Sequence, residues 1–531
     1  MAPSHAAVLE RTNREERTGE RRRLPRWSAG ASIVILALAA IGFGFLARHW
    51  PFSQENVTQA LAEIFHGTVQ FTSFHYTFFP HPGCVGDGGT LVHPSSPPGS
   101  PPLISAQKFI LRASYIDMLL RPGYVSHIEL QGLRIQVPPL DERIKTPPHP
   151  EEPSTTRIGE VIANGASLEI AREKGDPLRF DIHALKLTSV SRKDPFAFDV
   201  SLRNALPAGE IQSRGHFGPW NSEDPGKTPV SGTYQFENAD LSSLDGVQGM
   251  LASHDDFAGS LQQMETHGTV DIPDFKVKRA GRSVPLHASF HAYVDALNGD
   301  VQLEHVDTTV VKTLILASGS VAGKTGQHGK TTSLEVHVQN GRMQDVCRLF
   351  VKAPRSPVNG VISFRAHVEV SPDERPFLQE VILKGDFGIE GGQFTHSETQ
   401  GKVASLSERA QGKKPDADDE DPAGVISDLD GHVNLKNGVA TLTKISFEVP
   451  GAQAHMHGTF NLLNDKIDFH GTLKTDSDFS KMSGGGIKSV FLKPFDALFK
   501  KKPKGAEIPV KMTGTYEHPE PGLELTGGKK K

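Results

Sequence analysis

The chain has 531 residues, with 57 Lys and Arg against 62 Asp and Glu, a net charge of -5 and a pI near 6.6, so no global basic field exists to hold nucleic acid. A mean hydropathy of -0.34 excludes a polytopic membrane protein. Apolar residues at 37%, about 47% once the 52 Gly are added, exclude a wholly disordered chain, and two Cys exclude a disulfide scaffold or a Cys-built zinc module.

Residues 1–27 read as a basic cytoplasmic tail containing Arg11, Arg14, Arg17, Arg21, Arg22, Arg23 and Arg26. Residues 28–47 (SAGASIVILALAAIGFGFLA) then run without a charge, which as a helix spans about 30 Å and matches a bilayer core. Only Arg48 follows before the chain turns polar, so the Lys/Arg bias predicts a cytoplasmic N-terminus and an exported remainder. Trp27 and Trp50 stand where interfacial anchors belong. Ala37-Leu38-Ala39 resembles a signal cleavage site but lies inside the apolar run, which favours an uncleaved anchor.

After the anchor a helix is predicted. Ser53 can cap it, Phe52 and Val57 can staple its start, and Gly67 can end it. Val57, Ala60, Leu61, Ile64 and Phe65 give it one apolar face. From there the dominant period is two. Leu286 to Val294, Leu334 to Val338 and Ile362 to Val370 alternate apolar with polar residues, the pattern of strands with one apolar face. Gly83 to Gly89, holding Cys84, reads as a Gly-rich loop. The phase slips at Gly132, which implies a bulge or tight turn. Asn-Gly pairs at 164, 298, 340, 359 and 437 are hairpin signals, because both central residues of a type I′ turn need positive φ. A Gly-Thr-apolar tripeptide recurs at Gly67, Gly89, Gly232, Gly268, Gly458, Gly471 and Gly514 and reads as a strand start after a turn. Short helices are expected near 342–352, 400–410 and 487–502. Residues 93–102, 138–157 and 411–424 are Pro-rich or acidic and read as linkers.

No catalytic motif is present. Gly323-Lys324-Thr325 lacks the upstream Gly of a phosphate loop, since Ser318 stands there. No G-x-S-x-G, H-E-x-x-H or paired-Cys metal spacing occurs. His455 and His457 share a strand face without an evident third metal ligand, and the acidic run 416–421 lacks the Gly and distal Glu of a calcium loop. Neither a cofactor nor a metal is therefore assigned, and the chain reads as a non-enzyme. Cys84 and Cys347 could pair in an exported chain, but their spacing does not decide it. In the segment IKSVFLKPFDALFKKK, Phe491, Phe495 and Phe499 approximate one helical face beside Lys500, Lys501 and Lys502. These six are candidates for contact with an anionic membrane, against the alternative of a helix packed over the sheet end.

Several stretches together carry a resemblance. They are the anchor, a short helix ending in HGTVQF, then SAQKFILRASYIDMLLRPGYVSHIELQGLRIQVPP and IANGASLEI. GHFGPWNSEDPGKTPVSGTYQFENADLSSLDGVQGML follows. LKNGVATLTKISFEVPGAQAHMHGTFNLLNDKIDFHGTL and IPVKMTGTYEHPEP complete the set. In this order they resemble the AsmA family, related to TamB and to chorein-type bridge-like lipid-transfer proteins. The resemblance implies an inner-membrane anchor in a bacterium with two membranes and an elongated, curled antiparallel sheet with an apolar inner face. It also implies a part in moving phospholipid towards the outer membrane or in envelope assembly. About 20 strands at roughly 4.8 Å give a groove on the order of 100 Å, short for bridging a periplasm alone.

The expected organisation is a tail (1–27), an anchor (28–47), N-terminal helix and strands (51–140), a linker (141–157), a β-groove (158–410), an acidic linker (411–424) and a C-terminal region (425–531). The expected fold is mainly β with few short helices. The expected function is passive phospholipid transfer, with acyl chains against Phe290, Val336, Phe364, Val368, Val433 and Phe460. Expected partners are phospholipid, the inner membrane and an outer-membrane or envelope partner. The alternative is a periplasmic scaffold with a dry core that assists outer-membrane protein assembly.

Overall fold

The computed structural model describes residues 50–92, 101–137, 157–475 and 507–523, apart from interruptions at 66, 122, 172–175, 222, 245, 279–280, 325–328, 352–354, 357, 373–374, 396, 412–426 and 516–518. The predicted tail, anchor and 487–502 segment lie outside these residues, as do the predicted linkers apart from residues 101, 102, 157 and 411; Arg157 opens the strand that follows its linker. No helix among the described residues is long and apolar enough to cross a membrane.

Two compact units divide the chain at Ile64. The first contains most of helix α1 (Gln54–Phe65). Ser53 caps it as expected: its Oγ accepts the Asn56 N–H at 3.2 Å. Phe52 and Val57 are both buried, and Trp50 meets Phe52 edge-on at 5.7 Å between ring centroids.

The second unit is mainly β, a large curled sheet with few helices. Its strands, in chain order, are β1 (Thr68–Gln70), β2 (Ser73–Thr77), β3 (Gly83–Val92), β4 (Ile104–Arg112), β5 (Tyr124–Gln131), β6 (Arg134–Val137), β7 (Arg157–Ile170), β8 (Leu178–Val190), β9 (Phe196–Asn204), β10 (Ala208–Phe217), β11 (Pro229–Asp240), β12 (Val247–Gln248), β13 (Met250–Ser260), β14 (Gln263–Val277), β15 (Val284–Val294), β16 (Val301–Val310), β17 (Thr313–Gly323), β18 (Lys330–Arg342), β19 (Val358–Val370), β20 (Val381–Phe394), β21 (Ser427–Lys436), β22 (Val439–Val449), β23 (Ala452–Asn461), β24 (Lys466–Thr475), β25 (Ile508–Thr515) and β26 (Pro519–Leu523). The helices of this unit are α2 (Tyr115–Leu120), α3 (Met343–Phe350), α4 (Phe377–Glu380) and α5 (Ser397–Ala410). α3 and α5 fulfil the expectations at 342–352 and 400–410.

From β7 to β26 the chain meanders, each strand antiparallel to its predecessor. The exception is β12, which pairs with the far end of β14 beyond β13. The expected all-antiparallel sheet is corrected at one joint. β5 and β6 lie in line along β4, and both run parallel to β7. A parallel pair needs a long crossover rather than a hairpin, and residues 138–156 supply the chain for one. The interruption between β5 and β6 falls at Gly132, whose φ is +60°, as the phase slip predicted.

Other expectations are also corrected. Asn437-Gly438 makes the β21–β22 hairpin with φ of 52° and 75°, and Asn298-Gly299 sits in the β15–β16 turn. Asn164-Gly165, Asn340-Gly341 and Asn359-Gly360 instead lie within β7, β18 and β19. At Asn340 (φ 55°) and Gly360 (φ 152°) the positive φ serves a register shift inside the strand. Gly83 to Gly89 is strand β3, not a loop, so Cys84 is a strand residue. Several Gly-Thr pairs fall in mid-strand, because the glycine clears space for a cross-strand ring. A Cβ on Gly232 would lie 2.9 Å from the Phe257 ring, and one on Gly458 would lie 2.6 Å from that of Phe469.

Candidate functional site

Residues paired across a ladder stand on one face of the sheet. Following the pairing from strand to strand traces one row across it. On β2 to β9 the row reads Phe74, Gly86, Phe109, Leu130, Ala163, Leu185 and Val200. On β10, β11 and β13 it reads Ser213, Tyr234 and Asp255. From β14 it continues through Gly268, Phe290, Val306, Ala317, Val336, Ala366 and Gly385. It ends with Val433, Leu442, Gly458, Phe469, Met512 and Pro521. Apart from the three polar residues, every member is apolar or glycine. Two-residue alternation explains why: once one strand turns its apolar set inward, the register carries the same face to its neighbours.

Phe290, Val336 and Val433, three of the candidate lining residues, fall in this row. Phe364 and Val368 flank Ala366 on β19. Phe460 neighbours Gly458 on the same face of β23, opposite Ala440 and Ile467. All six are half-buried. Phe364 also packs on Val338, Ile362 and Ile389, while Val368, Val433 and Phe460 pack on Val381, Leu435 and Ala440. The membrane-contact candidates Phe491, Phe495, Phe499, Lys500, Lys501 and Lys502 lie outside the described residues.

Helices cover the margins of this face. Over one end of the strands, Met343 and Val346 of α3 pack on Val338 and Ile362, and Leu349 packs on Val284 and Val310. At the same end, Val403 and Ala410 of α5 pack on Val449, Ala452 and Leu473. At the opposite end Phe377 of α4 packs on Val381 and Leu435. Asp345 pins α3 to the sheet. It is 2% exposed and accepts the Thr313 hydroxyl at 3.1 Å and the Lys312 N–H at 3.2 Å. Thr313 Oγ1 in turn accepts the Arg342 N–H at 2.9 Å.

The polar break in the row is the feature that sequence reasoning missed. Asp255 is 7% exposed. Its Oδ2 accepts the Thr266 hydroxyl, and its Oδ1 is buried without a hydrogen-bond partner. Burial raises its carboxyl pKa above the ordinary aspartate value, an effect that the Thr266 hydrogen bond partly offsets. Tyr234, directly across, shares a hydrogen bond of 3.2 Å with Ser253, and burial raises its phenol as well. The only sequence signal is the alternation Ser253, Asp255, Phe257, which does not reveal which of two polar sets points inward.

Cys84 and Cys347 are free and buried. Desolvation pushes the Cys84 thiol up to about 12 and raises that of Cys347. Neither is poised as a nucleophile. His457 stands opposite His470 on the polar face, with ring centroids 6.4 Å apart, and His470 Nε2 lies 2.9 Å from Asp468 Oδ1. In comparisons with known proteins, no family model, no curated protein and no solved structure matches the chain.

Proposed function

We propose that the chain is an AsmA-like protein, anchored in a bacterial inner membrane by residues 28–47, whose sheet carries phospholipid passively towards the outer membrane. The observation that carries this reading is the apolar row and its half-buried Phe290, Val336 and Val433. Half-burial leaves apolar surface that an acyl chain can still cover. Covering it removes water at about 25 cal/mol per Å2, with no residue doing chemistry. On this reading the apolar face lines a trough, while the polar face meets solvent and the head groups remain wet. The six lining residues contribute contact area, and α3, α4 and α5 close the trough margins. The family resemblance supports the same reading.

The test is native mass spectrometry of the full chain, released from detergent in the gas phase, with extraction and identification of retained lipid. Several phospholipids per chain support the conduit. A lipid-free mass would favour the scaffold reading, in which the apolar faces seal against each other.

A further inference from the structure

The face opposite the apolar row carries a second cross-strand row. Asp256 on β13 stands across from His267 on β14, His267 from His291 on β15, and His291 from His305 on β16. Glu265 shares the face of His267, two residues before it on β14. The two imidazoles of His267 and His291 stack with centroids 4.2 Å apart and planes only 10° from parallel. This side-by-side arrangement brings both Nε2 atoms to one carboxylate oxygen. His291 Nε2 lies 3.0 Å and His267 Nε2 3.7 Å from Glu265 Oε1.

We propose that Glu265, His267 and His291 form a binding site for a divalent transition-metal ion of the zinc class on the outer face of the sheet. One ligand atom from each of the three lies within 4.8 Å of the other two. Zinc bonds of about 2.0–2.2 Å to imidazole and carboxylate set neighbouring ligand atoms roughly 3.4 Å apart in a tetrahedron. The two Glu265–imidazole separations, 3.0 and 3.7 Å, bracket that spacing, and rotation of the two stacked rings about χ2 would turn both Nε2 lone pairs towards one ion. Two imidazoles and one carboxylate also suit a borderline cation better than magnesium or calcium, which prefer all-oxygen sets. The β-ladder holds both His backbones in register, so only side chains move to meet the ion.

Three protein ligands leave a coordination position open. His267 also borders a polar cleft of about 530 Å3 whose lining includes Arg214, Gln235, His254 and Asp256.

The site is independent of the lipid reading, because it uses the opposite face. The test is calorimetric titration of Zn2+ into the untagged, chelator-stripped full chain, with X-ray absorption of the zinc-loaded protein. The expected result is an ion bound with coordination by two imidazoles. His291→Ala and Glu265→Gln each weaken that binding at least tenfold while the circular dichroism spectrum stays unchanged. His432→Ala, which alters a separate His–Asp pair with Asp386 at 2.9 Å, leaves it intact. Wild-type affinity in the His267→Ala/His291→Ala double variant overturns the proposal, as does wild-type protein that takes up no Zn2+ at 0.1 mM, roughly the weak end of specific binding. Either result would leave a hydrogen-bonded surface pair only.

Discussion

Tyr234 and Asp255 face each other across β11 and β13 on the apolar side of the sheet, and with Ser213 they interrupt a row that is otherwise apolar or glycine. The carboxylate keeps one buried oxygen without a partner, a position that a native fold holds at a cost of about 1–3 kcal/mol. The fold therefore favours the protonated acid, and the raised carboxyl follows.

The sign of the resulting pH dependence is set. An unfolded aspartate titrates near pH 3.9. The folded value lies above it, so the contribution of Asp255 to stability is complete below about pH 4 and is lost as pH rises through the folded value. Asp255→Asn cannot ionise. Its melting temperature relative to the parent should rise over that window and then level off. The plateau is worth about 1.4 kcal/mol for each unit by which the fold raises the acid. Parallel melting curves for the two proteins at every pH would sink this account.

Val336 offers the sharpest probe of lipid carriage, since it sits in the row between Ala317 and Ala366. Val336→Asp places a charge where an acyl chain would lie, and an accessible trough lets that charge hydrate. Retained phospholipid should fall by half or more with the circular dichroism unchanged. Phe364, another of the lining candidates, is a poorer choice. It packs on the buried Val338, Ile362 and Ile389, so truncating it costs up to about 3–5 kcal/mol of stability. Unaltered lipid content in Val336→Asp would count against the conduit.

Asp345 ties α3 to β17 through Thr313 and the Lys312 amide. Asp345→Ala leaves the Thr313 hydroxyl and the Lys312 amide without this acceptor, a loss of about 1–3 kcal/mol that denaturant unfolding should show. Asp345→Asn retains one acceptor and should cost less. Hydrogen exchange should quicken first in α3 in both variants. A neutral Asp345→Ala would mean that apolar packing of Val346 and Leu349 alone seats the helix.

Much of this architecture was legible because it rests on local periodicity. The strands around Leu286, Leu334 and Ile362, the Ser53 cap and the α3 and α5 helices all announce themselves within a few residues. What escaped depends on register. The Gly232 and Gly458 positions look like turns in one dimension and become ring-accommodating gaps only when Phe257 and Phe469 lie across from them. The parallel joint at β7 was hidden because its strands alternate like any other. Asp255 and Asp256 are adjacent, and only the pairing with Gly268 and His267 sends one to the apolar face and the other to the polar face. The Glu265–His267–His291 group likewise needs β14 and β15 aligned before three separate residues become a chelate.

The two cysteines give a test that depends on none of the functional readings. Cys84 is fully buried in β3 opposite Leu111, and Cys347 sits in α3 with 5% exposure. Thiolate is the reactive species, and a Cys84 thiol pushed up to about 12 is ionised in roughly one molecule in ten thousand at pH 8. Ellman's reagent at pH 8 should therefore release no colour from the folded chain within minutes and two equivalents once guanidinium unfolds it. Rapid labelling of the folded protein would show β3 opening locally. Fewer than two thiols after unfolding without reductant would reveal a disulfide, and the burial of Cys84 and Cys347 as separate free thiols would have to be abandoned.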